Sequence, residues 1–166
     1  MSALPSVRLA VVMERRPLDN PWSSETWLPV EVRVDDAEGA EGAEARVPRL
    51  LREAEGVAQW LFPGLELVLS RDECEGYWQN LVSPGPRVFV MWRMENDDGL
   101  PLPERVTASY DEASAWMDAS ESVEGVPMPE PMVPWVGDYL KANFRPEPKK
   151  RIRPQSFKQP KDRIQS

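Results

Sequence analysis

Cys74 is the residue with the most chemistry on paper, and it is the only cysteine among 166 residues. A catalytic thiolate is normally activated by a histidine, and the chain contains no histidine. Glu73 and Glu75 flank Cys74, and neighbouring carboxylates push a thiol's pKa up. A small structural thiol is the reading that follows. Lack of histidine also removes the ordinary near-neutral proton shuttle and a common metal ligand. One cysteine excludes an intramolecular disulfide and a four-cysteine zinc site. Glu95-Asn96-Asp97-Asp98 lines up four oxygen side chains. Their spacing is not the EF-hand alternation, and no glutamate closes the loop. Paired carboxylates for glycoside hydrolysis would have to face each other across a cleft, and none is marked out by its surroundings. Neither standard glycine-rich phosphate loop is present. The expectation is a chain with no catalytic residues, no metal and no cofactor.

Recognition is better represented. Seven tryptophans are many for this length, and interfaces favour Trp, Tyr, Met and Arg. Trp22, Trp27, Tyr77, Trp78, Trp92 and Arg93 are the candidates for a contact surface, with core burial the competing role for each. Arg71, Arg87 and Arg93 could hold a phosphate while a tryptophan stacks on a ring, which keeps a pterin or nucleotide ligand as a second reading.

The net charge of -8 is divided unevenly. Residues 145–166 hold eight basic and two acidic side chains, while residues 1–144 hold twelve basic and twenty-six acidic. An acidic body over residues 1–145 repels nucleic acid, and the basic, proline-containing tail over 146–166 attracts it or attracts an acidic protein. Nucleic acid is therefore the least favoured partner. The tail's large apolar residues are Ile152, Phe157 and Ile164, too few for a core. It is expected to be flexible alone and to order against a partner, with Ile152 and Phe157 as anchors. No apolar run is long enough to span a membrane, and the N-terminus lacks the basic-then-apolar signature of a signal peptide. A cytoplasmic protein with a protein partner is the default expectation. A homo-oligomer is compatible with it.

The elements that must position these residues centre on Leu65 to Met94. Leu65, Leu67 and Leu69 alternate with Glu66, Val68 and Ser70, the period of a strand. Arg87 to Arg93 is β-rich. Between them, Gly76 to Val82 has two readings. Its aromatic content and its distance from Pro84 favour a strand, giving a three-stranded antiparallel meander. Ser70 and Glu73 also match a capping box, and a helix over 71–81 would carry Cys74, Tyr77, Trp78 and Leu81 on one side.

Val7 to Glu14 reads as a first strand and Trp27 to Val34 as a second, with Pro29 at an edge or bulge. Arg46 to Phe62 is either a helix interrupted at Gly56 or two short strands. Pro63-Gly64 reads as a turn, and Asp35 to Ala45 as an acidic loop. Arg105 to Ala108 is a short strand. Ser109 and Glu112 form a second capping box, opening a helix with Tyr110, Ala113, Trp116 and Met117 on one face. Val126 to Pro131 is proline-stiffened and extended. Pro134 suits the first turn of a last helix with Val136, Tyr139, Leu140 and Phe144 as its apolar side. The predicted fold is α+β: an antiparallel β-meander or partly open barrel-like sheet covered by two C-terminal helices.

Several segments together carry a resemblance. They are Glu14-Arg15-Arg16-Pro17-Leu18, Trp22 to Trp27, Arg71 to Tyr77, Val106 to Ala113, Val123 to Pro129, and Phe144 to Lys150. Over roughly residues 7–150 the chain resembles a small uncharacterised bacterial family encoded beside molybdenum-dependent formate dehydrogenases. Members are sometimes labelled molybdopterin-guanine dinucleotide biosynthesis proteins. The resemblance implies an accessory or assembly role toward a formate dehydrogenase subunit and brings no catalytic residues with it. A guanylyltransferase would need a nucleotide-binding α/β architecture with a glycine-rich loop, and the sequence shows neither.

Overall fold

The computed structural model describes residues 4–18, 25–35, 47–95 and 98–145. Seven strands and three helices follow in the order β1 (Ser6–Pro17), β2 (Glu25–Val34), β3 (Arg49–Ala54), β4 (Val57–Val68), α1 (Cys74–Leu81), β5 (Arg87–Arg93), β6 (Leu102–Thr107), α2 (Tyr110–Asp118), β7 (Ser122–Pro127) and α3 (Met132–Asn143). A 3-10 turn over Arg71–Glu73 leads into α1. The architecture is α+β with antiparallel pairing throughout, as the residue patterns predict.

The strands form two sheets, ordered β2-β1-β4-β3 and β6-β5-β7. The sheets meet along two seams, β4 against β6 and β2 against β7. Six strands thereby surround a common core in the order β1-β2-β7-β5-β6-β4, with β3 added outside β4. This is a partly open barrel, because the hydrogen-bonded ladders stop at both seams. Alternation fills it: Leu9, Val11 and Met13 from β1 meet Leu65 and Leu67 from β4 and Val88, Val90 and Trp92 from β5. Tyr77 of α1 and Met132, Val136 and Leu140 of α3 join the same cluster.

Sequence patterns and structure part in four places. Gly76 to Val82 is helical up to Leu81, so the favoured strand reading and its three-stranded meander are both overturned; β4 and β5 belong to different sheets. Cys74, Gly76, Tyr77 and Asn80 form the buried stripe of that helix, and burial on one helical face outweighs the β preference of Tyr and Trp. Ser70 makes no side-chain cap; its N–H instead donates to Tyr77 Oη at 3.0 Å. Pro63-Gly64 is no turn. β4 runs straight through it, and the β1–β4 register slips there, between Leu9↔Leu65 and Val11↔Phe62, with Gly64 at φ +87°. Glycine permits that conformation, so the pair forms a bulge within a continuous strand.

The extended stretch from Val126 begins inside β7, whose ladder with β5 pairs Arg87 with Pro127. The two C-terminal helices do not share one face. α3 closes the main core beside α1, whereas Tyr110 of α2 stacks on Phe89 at 5.1 Å, and Phe89 points away from Val88 and Val90.

Other expectations hold. Of the two readings for Arg46 to Phe62 the two-strand one holds: β3 and β4 are joined at Glu55-Gly56, both with positive φ (55° and 84°), the geometry of a tight two-residue hairpin turn. Pro29 sits at a register shift in the β1–β2 ladder. Ser109 caps α2 by accepting from Glu112 N–H at 3.1 Å. The last helix starts at Met132, two residues before Pro134. The acidic segment 36–45 and the tail from 146 lie outside the described residues.

Candidate functional site

Helix α1 positions most of what the chain could use, and its two sides differ. The inner side is locked into a polar knot. Ser109 is fully buried at the start of α2. Its hydroxyl donates to Glu73 Oε1 at 2.6 Å while accepting from Glu112 N–H. Thr107 Oγ1 donates to Glu112 Oε1 at 2.6 Å and accepts from Ser109 N–H at 3.1 Å. Gly76 lets the helix approach this closely. A Cβ there would overlap Ser109 Oγ and come within 3.0 Å of Ser109 Cβ and 3.1 Å of the Asp111 backbone nitrogen.

One turn on, Asn80 is fully buried and its amide is fully used. Nδ2 donates to the carbonyls of Arg87 and Ala108 at 2.7 and 2.9 Å, and Oδ1 accepts from Arg87 N–H at 2.9 Å. The amide therefore ties α1 to the start of β5 and the end of β6. At the other flank of the sheet, Gly125 leaves room for the Phe89 ring, which a Cβ would meet at 3.0 Å. Three segments that carry the family resemblance thus converge on packing. In this knot each polar group already has a partner, and Ser109 is inaccessible to substrate.

Cys74 lies on the same inner side, 3% exposed. Burial pushes its thiol up, against an opposing pull from Arg71. Glu73, expected to raise it, is turned to Ser109 instead. This is an inert thiol. Tyr77 is also buried, which pushes its phenol up to about 12.

The outer side of α1 is different. Trp78 is 42% exposed and Val82, one turn later, 61%. The Trp78 ring packs on Phe144 at the end of α3, centroids 6.3 Å apart and planes 40° apart. Leu81, half-buried, reaches toward Gly137 of α3. An apolar strip therefore runs along the α1–α3 junction. Lys141 and Arg145, on either side of Phe144 in the chain, are exposed.

The predicted contact residues are dispersed. Trp27, Tyr77 and Trp92 are 6%, 1% and 8% exposed and belong to the core, so they offer no surface to a partner. The indole N–H of Trp27 is buried without a hydrogen-bond acceptor. Arg93 is engaged by Glu121 in two hydrogen bonds (3.0 and 2.5 Å) and by Glu104 at 3.2 Å, tying β5 to β6 and to the start of β7. Trp22, Ile152 and Phe157 lie outside the described residues. Trp78 alone of the described tryptophans is exposed. The phosphate reading loses its convergence, because Arg87 and Arg93 stand at opposite ends of β5, about 20 Å apart at the usual rise per residue.

Phe144 joins Trp78 in the strip and Val82 is exposed one turn beyond it, and the contact residues expected from the sequence did not include them. The signal for them was the spacing of Trp78 and Val82 at i and i+4, legible only once 71–81 is taken as helix. Among the described residues no group of three or more Cys, Asp or Glu side chains could hold a metal, and no helix is long and apolar enough to cross a membrane.

A family model described as a protein of unknown function, DUF3305, matches residues 8–153. The chain belongs to that family. No curated protein and no solved structure matches it.

Proposed function

We propose that this DUF3305 member is a non-catalytic accessory or assembly protein that binds a partner polypeptide through the α1–α3 junction. The observation that carries the reading is the outer face of α1, where exposed Trp78 packs on Phe144. Exposed Trp at the centre of an apolar strip is the residue type on which interface affinity concentrates. The 42% of Trp78 left exposed forgoes burial worth about 1 kcal/mol, a cost that a bound partner would recover. The resemblance read from the sequence makes a molybdenum-dependent formate dehydrogenase subunit the first partner to test, with the protein acting in the cytoplasm during assembly of that enzyme.

Affinity capture of the full-length tagged chain from its native cells, with identification of the bound chain, is the test. The expected result is stoichiometric recovery of one partner subunit. Recovery as a lone monomer at both low and high salt would overturn the proposal. Native mass spectrometry of the same preparation separates the alternative of a pterin-nucleotide maturation factor, which would show as a retained small-molecule mass.

A further inference from the structure

We draw no further inference here: the strongest candidate, the apolar strip at the α1–α3 junction where exposed Trp78 packs on Phe144, belongs to the site already described, and nothing in the structure shows what covers it.

Discussion

One helix shows two ways of using aromatic and polar residues. On the inner side of α1, Gly76, Tyr77 and Asn80 are buried, and the Asn80 amide makes three hydrogen bonds to the backbone of β5 and β6. On its outer side, Trp78 and Val82 have water on much of their surface. The two sides are adjacent residues of a single eight-residue helix. The contrast teaches that the inner residues of α1 contribute mainly to packing. Exposed Trp78 lies one residue away from buried Tyr77. A short helix can serve both roles because its inner face is fixed so firmly that its outer face need not contribute much to stability.

The largest break in this comparison should come at Gly76. A methyl group there meets the Ser109 side chain and the Asp111 backbone, and backbone cannot step aside as a flexible side chain can. Gly76→Ala is expected to cost about 3 kcal/mol, the upper range for overpacking, in denaturant unfolding. A loss below about 0.5 kcal/mol, the ordinary surface range, would show that α1 does not press on α2.

Asn80→Ala comes next. It strands the Arg87 N–H and removes a donor from two carbonyls in a fully buried place, so a loss of about 2–3 kcal/mol is expected. Asn80→Asp should be at least as damaging, because it replaces the amide donor with a carboxylate facing the same carbonyls. An Asn80→Asp protein that melts at or above the parent temperature would contradict the hydrogen-bond assignment.

Tyr77 adds a pH signature. Its folded pKa is raised to about 12, chiefly by burial, above the usual phenol value near 10. A group raised on folding contributes stability that is fully present below its unfolded pKa and lost as pH rises through its folded one. The chain should therefore lose stability between about pH 10 and 12, and Tyr77→Phe should flatten that limb of the curve. At neutral pH the same variant gives up the Ser70 N–H contact, costing about 1 kcal/mol. Superimposable alkaline profiles for the two proteins would place the phenol in contact with solvent.

How much of this contrast could be read in the residues depends on which face is considered. The period-two runs of β1 and β4 announced the core because burial on one face writes itself into alternation. The Ser109 cap was legible because the hydroxyl and the Glu112 N–H it accepts from are close in sequence. The strand reading of Gly76 to Val82 failed because aromatic content reports burial, and burial suits either element. The bulge at Pro63-Gly64 was invisible because its partner, Ala10, is more than fifty residues away in sequence. The knot was out of reach for the same reason: Glu73 and Ser109 are 36 residues apart. The candidate strip joins α1 to the end of α3, across about sixty residues. No local pattern could say that Trp78 would stay outside while Tyr77 and Trp92 went in.

Trp78→Ser should cost less stability than Gly76→Ala. Its side chain is already 42% exposed, so truncation removes only part of its burial and one aromatic contact with Phe144. Tilted aromatic pairs contribute about 0.5–1.5 kcal/mol beyond area, and the buried part of the ring adds about 1 kcal/mol, so Trp78→Ser is expected to cost about 2 kcal/mol. Two measurements on one protein then sharpen the comparison. Unfolding of Trp78→Ser should lie within about 2 kcal/mol of the parent, while partner capture falls well below that of the parent. For Gly76→Ala the order reverses: stability falls first, and capture declines only as the folded fraction declines. If Trp78→Ser unfolds as readily as Gly76→Ala, the outer side of α1 is part of the core after all, and its exposure has to be explained without a partner.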